Sequence, residues 1–205
     1  MITVPVPVQI TTQWHYRPNI EMFYPYVSGP GHPAAIQKIN AAIFDTINKL
    51  IAQQHYYQDP RVQITGWYEI KTNERNVLSL TIGNYGYAPG AAHGMTYLKS
   101  LTFDVKTGKL YSLAELFKAG SDYVRVLSDI VAEQIKKRDI PTLEPFTGIK
   151  PDQDYYVADK SLVIYFQLYE LTAYAYGFPM FPISVFDIQD IIEQDGLLDR
   201  MATYD

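Results

Sequence analysis

RVQITGWYEIK (61–71), VLSLTIGNYGY (77–87) and MTYLKSLTFDV (95–105) are three consecutive runs rich in β-branched and aromatic residues, and their reading decides the fold. Each has the length and composition of a strand. Asn73-Glu74-Arg75-Asn76 offers a turn between the first two, and Asp104-Val105-Lys106-Thr107-Gly108-Lys109 a hairpin turn after the third. An antiparallel meander is the expectation.

Upstream of the meander, Ile36, Ile39, Ile43, Phe44, Ile47, Leu50 and Ile51 recur at helical spacing, with Gln37, Lys38, Asn48 and Gln53 opposite. Pro33 suits the first helical position, and Ser28-Gly29-Pro30-Gly31 ends an extended run over 13–26. A proline-punctuated arm, Met1 to Val8, precedes it.

Downstream, Ser112-Leu113-Ala114-Glu115 has the capping-box pattern and predicts a short helix. A second amphipathic helix is expected from Asp122 to Arg138, capped by Ser121 and burying Tyr123, Val124, Leu127, Ile130, Val131 and Ile135. A strand pair turned at Ala158-Asp159-Lys160-Ser161 follows, with 162–168 central because it is almost continuously apolar. Residues 185–192 predict a short closing helix or strand, and 197–205 a loose tail. The order implies an α+β fold, a mainly antiparallel sheet with two amphipathic helices packed on it. It reads as one module without a clear linker, divisible into an N-terminal unit over 1–90, a C-terminal unit over 91–195 and a tail over 196–205.

Composition narrows the function. The formal net charge of −5 over 205 residues argues against a nucleic-acid partner, because phosphate binding needs clustered cations. The one basic cluster, Lys136-Lys137-Arg138, closes a helix, where cations complement the dipole. The absence of cysteine excludes disulfides, thiolate catalysis and cysteine-ligated zinc. The N-terminus lacks a basic segment and is broken by prolines, so neither a secretion signal nor a membrane span is expected there. Eighteen tyrosines suit half-buried sheet faces, binding surfaces, or the cross-linked surface of a structural coat.

Two segments stand out as candidate sites. In Gly90-Ala91-Ala92-His93-Gly94, small neighbours leave an imidazole open to serve as acid, base, ligand or hydrogen-bond donor, or simply to tie the loop to a neighbouring group. In Tyr169-Glu170 with Tyr174-Ala175-Tyr176-Gly177-Phe178, aromatics alternate with small residues. If the strand before it continues, Glu170 falls on the apolar face of Leu162, Ile164, Phe166 and Leu168. It would then be paired, with His93 or a tyrosine hydroxyl, or held at the core rim by a backbone amide. The expected ligand-binding set is His93, Tyr169, Glu170, Tyr174, Tyr176 and Phe178.

Catalytic templates are not met. His15, His32, His55 and His93 have no metal-ligand spacing, and no phosphate loop, nucleophile elbow or cofactor motif occurs, so no metal and no cofactor are expected. An acid–base pair of His93 and Glu170 is the enzymatic alternative.

Five segments carry a resemblance: Ile39-Asn40 in the first helix, Gly90 to Gly94, Thr102-Phe103-Asp104 with Thr107-Gly108, Leu113 to Phe117, and Tyr169-Glu170 to Gly177. Together, over roughly 20–192, they resemble a bacterial extracytoplasmic domain family found in the lysozyme-sensing anti-sigma-V factor and in the non-catalytic part of a peptidoglycan deacetylase. The resemblance implies an α+β domain pair acting as a binding or sensory module at the cell envelope or spore. It implies a protein or glycan ligand, no catalysis, and an extracytoplasmic or spore-associated setting, with a cytoplasmic one as the alternative. In the anti-sigma members the segment matching Glu170 to Phe178 lies on the surface that engages lysozyme.

Overall fold

The structure, a computed structural model, describes residues 6–202. The extended run expected over 13–26 is a hairpin, β1 (Gln9–Arg17) and β2 (Ile20–Ser28), paired from Gln9 opposite Ser28 to Arg17 opposite Ile20. Pro18 and left-handed Asn19 (φ 62°) make the two-residue turn, the residue types that positions i+1 and i+2 of a type II turn accept. Most of the N-terminal arm lies outside the described residues.

Helix α1 (Pro33–Gln53) starts at the expected proline and buries Ile39, Ile43, Ile47, Leu50 and Ile51. Phe44, assigned to that face by spacing, is exposed and meets the His15 ring edge-on at 6.1 Å. The helix is a crossover. Strand β2 pairs in parallel with β3 (Gln63–Glu74) at Ile20/Ile64 to Met22/Gly66, and a parallel pair requires such a connection. Strands β4 (Val77–Tyr87), β5 (Met95–Asp104) and β6 (Lys109–Leu110) then add antiparallel, giving a six-stranded sheet in chain order. The meander is where the sequence placed it, with the first turn tightened to Arg75-Asn76, both left-handed (φ 50° and 60°). The core joins Ile20, Met22 and Val27 with the α1 isoleucines and with Leu78, Leu80, Ile82, Leu101 and Phe103.

The chain divides into Met1–Leu110 and Tyr111–Asp205. The expected boundary at 90/91 is displaced because β5 pairs with β4 from Asp104 to Met95, which keeps those residues with the first unit.

In the second unit the capping-box residues form a single 3₁₀ turn, Ala114–Leu116. Glu115 reaches back to the Ser112 amide at 2.8 Å, but the Ser112 hydroxyl donates to the same carboxylate rather than capping an amide. Helix α2 (Tyr123–Lys137) has its cap position at Asp122, not Ser121, and the Asp122 carboxylate takes Arg125 instead of an amide. Only Leu127 and Val131 of its apolar stripe are fully buried.

Strands β7 (Tyr155–Ala158), β8 (Ser161–Tyr165) and β9 (Met180–Ser184) form a three-stranded antiparallel sheet with β8 central. Strand β8 stops at Tyr165, three residues short of expectation, and β9 was not foreseen. Residues 185–188 are a 3₁₀ turn, and the segment expected as a tail carries α3 (Leu197–Ala202), with Leu197, Leu198 and Met201 buried. The fold is therefore α+β, with nine strands in two mostly antiparallel sheets and three helices among the described residues.

Candidate functional site

The loop after β4 carries His93. Gly90 is left-handed (φ 87°), and the Tyr87 hydroxyl donates to the Ala91 carbonyl at 3.2 Å. Gly94 is buried for a different reason than freeing the imidazole. Its amide donates to the Tyr85 hydroxyl at 3.1 Å, and a Cβ there would press into the Tyr85 ring and stand 2.5 Å from the Gly86 carbonyl oxygen. His93 is exposed, with Nδ1 2.9 Å from the Gly94 carbonyl oxygen. Beneath the loop, the buried Gln54 amide donates to the Asn84 side chain at 3.0 Å and to the Met95 carbonyl at 2.9 Å, tying the end of α1 to both strands.

The second candidate segment is a turn followed by a loop. The Glu170 amide donates to the Gln167 carbonyl at 3.1 Å, so residues 167–170 close a β-turn with Leu168 and Tyr169 at its centre. Tyr169 is left-handed, φ 65°. The Glu170 carboxylate locks this turn: one oxygen accepts the Gln167 amide at 2.8 Å, the other takes Lys150 Nζ at 2.7 Å. The Gln167 side chain donates to Asp154 at 2.7 Å.

Because β8 ends before this turn, alternation does not carry to Glu170, which sits half-buried at the rim with a backbone amide and a lysine as partners. The Glu170 hydrogen bond and charge hold the Lys150 ammonium above the ordinary lysine pKa, partly opposed by burial. His93 belongs to the first unit and Glu170 to the second.

Past the turn, Leu171 and Thr172 are buried and anchor the loop, the former accepting the Leu143 amide at 2.9 Å. Tyr174–Tyr176 form a 3₁₀ turn closed by left-handed Gly177 (φ 81°). Tyr169 and Tyr174 place their rings 5.6 Å apart and tilted by 37°. Tyr169 is 47% and Tyr176 41% exposed, while Tyr174 and Phe178 are half-buried. Four of the expected aromatics thus share one loop, two of them well exposed.

Sequence reading missed Lys150 and Asp154, which precede β7, and Gln167, which opens the turn; all three gain meaning only through the turn. It also missed an exposed aromatic group on the β1–β2 hairpin. Trp14 lies opposite Phe23 with rings 6.5 Å apart, and Tyr16 lies 5.2 Å from Trp14. The Pro18-Asn19 turn was the signal that would have set that register. Among the described residues, no three of His, Cys, Asp and Glu gather as a metal site, and no helix is long and apolar enough to cross a membrane.

The fold and these two segments define an α+β domain pair with an aromatic loop on its second unit. Residues 114–185, within that unit, match the family described as a protein of unknown function, DUF3298. The chain is 24% identical over 164 residues to the peptidoglycan-N-acetylmuramic acid deacetylase PdaC of Bacillus subtilis (strain 168), covering 74% of the chain and 33% of PdaC. It is 30% identical over 137 residues to the anti-sigma-V factor RsiV of the same organism, covering 61% of the chain and 47% of RsiV. The chain spans only about a third and about half, respectively, of these two proteins. The crystal structure of a DUF3298 family member from Bacteroides fragilis superposes with a TM-score of 0.73 at 13% identity, covering 97% of this chain and 99% of that one. The fold is shared, and the resemblance to the domain family of RsiV and PdaC holds.

Proposed function

We propose that this chain is a non-catalytic binding or sensory module of the bacterial cell envelope or spore, engaging a protein or glycan ligand through the loop 169–178. The observation that carries the reading is the combination of exposed tyrosines with a fixed backbone: rings of Tyr169 and Tyr176 face solvent, while the Glu170 carboxylate and buried Leu171 and Thr172 hold the loop in place. Rigid aromatic side chains lose little freedom on binding, which favours such loops in recognition. PdaC, by its name, acts on peptidoglycan, and RsiV is an anti-sigma factor. The name of PdaC makes peptidoglycan, and the resemblance to a lysozyme-sensing domain family makes lysozyme, the first ligands to try, and the same resemblance favours an extracytoplasmic setting. The enzymatic alternative would have to use a carboxylate that already accepts the Gln167 amide and pairs with Lys150.

The test is retention of the full chain on purified peptidoglycan sacculi and on immobilised lysozyme, alongside capture from envelope and spore extracts. Retention on one of them is the expected result. A chain that ignores all of them would return weight to the structural-coat alternative, which the exposure of Tyr16 (67%) and Tyr57 (53%) favours. Peroxidase-driven tyrosine cross-linking would then be the assay.

A further inference from the structure

Position i+2 of a turn whose first central residue has negative φ and whose second has positive φ belongs to glycine or asparagine, because a Cβ is crowded in the left-handed region. In the turn 167–170 that position holds Tyr169, at φ 65°. A bulky residue there is an outlier, and outliers of this kind gather at ligand-contacting sites. Tyr169 is also 47% exposed, so its ring contributes little to the core; its ring neighbour is Tyr174 at 5.6 Å.

From these features we infer that Tyr169 is a ligand-contacting residue kept in a glycine position for the ring it displays, with the Glu170 carboxylate holding the strained turn closed from both ends. The inference rests on the binding reading above and adds a determinant to it. Glu170 and Lys150 then act as positioning residues. Their contacts, 2.8 Å to the Gln167 amide and 2.7 Å between the charged groups, fix the backbone from which the ring projects.

Three variants separate display from structure. Y169G and Y169N remove the ring and relax the backbone, while Y169A removes the ring and leaves a Cβ in the left-handed region. Melting temperature and retention on sacculi and on immobilised lysozyme are measured for each in the full chain. The inference predicts that Y169G and Y169N melt within about 2 °C of the wild type or above it, and above Y169A. It predicts that all three lose roughly tenfold or more in affinity for the probe that retains the wild type. Glycine and asparagine variants melting several degrees below the wild type, level with alanine, would show the ring to be structural and overturn it, as would unchanged affinity. If the wild type is retained by neither probe, the binding reading falls, and the order of melting temperatures still decides whether Tyr169 stands against its backbone preference.

Discussion

A Cβ at position 94 has nowhere to go: the Tyr85 ring and the Gly86 carbonyl oxygen already occupy its place. Gly94→Ala should therefore force the loop off β5 and cost about 1–3 kcal/mol, as overpacking does. Urea denaturation measures it, and a loss under a few tenths of a kcal/mol would mean that the loop shifts freely. His15 makes a second residue-level case. Its Nε2 is buried without a hydrogen-bond partner among the described residues, and burial followed by the Arg17 charge lowers its pKa below the ordinary histidine value. With the folded pKa lowered, the unfolded chain binds the proton first, so stability is full above the unfolded pKa and falls as pH drops towards the folded one. His15→Gln should flatten that acid-side slope in melting temperature; an unchanged slope would assign it to other groups. Chemistry at this scale was partly legible. The sequence singled out His93 and the loop tyrosines by their small neighbours and Glu170 by its expected place on an apolar face, but the left-handed backbone of Tyr169 has no local signature, since nothing in its neighbours announces a glycine position.

The turn 167–170 depends on one carboxylate doing two jobs of unequal weight. Lys150 is largely exposed, its side chain 67% accessible, so its pairing with Glu170 contributes under about 1 kcal/mol. The Gln167 amide bond is the more protected of the two, and a typical hydrogen bond contributes about 0.5–1.5 kcal/mol. Glu170→Gln retains an acceptor for that amide and should cost less than Glu170→Ala, which loses both contacts. Equal losses in urea denaturation would contradict the assignment. Because the Lys150 pKa is raised on folding, its contribution is complete below the unfolded lysine value and disappears only as pH climbs through the folded one. The elements themselves were readable where periodicity was strong: α1, α2 and β3 to β5 follow their apolar patterns. They were not readable where the breaker was weak. Pro18-Asn19 divides one aromatic run into a hairpin, and Pro179 and Pro182 flank or interrupt β9, whose short length gives no period to count. Glu170 was assigned to an apolar face on the assumption that β8 continues, and the strand ends at Tyr165 instead.

For the whole chain, local pattern predicts what forms and is silent on what pairs. The parallel contact of β2 with β3 through α1 and the division at Leu110 both arise from long-range register, which composition does not encode. A binding module should turn over no peptidoglycan fragments, acetylated glycans or simple esters, and turnover abolished in both His93→Ala and Glu170→Ala would establish the acid–base alternative. The most direct measurement is the affinity of the full chain for whichever probe retains it, lysozyme or sacculi, set beside the melting temperatures of Tyr174→Ala and Tyr176→Ala. The expected result is a loss of roughly 1–3 kcal/mol in binding with the melting temperature almost unmoved. Unchanged affinity together with a large drop in melting temperature would make these tyrosines part of the core and place recognition elsewhere on the molecule.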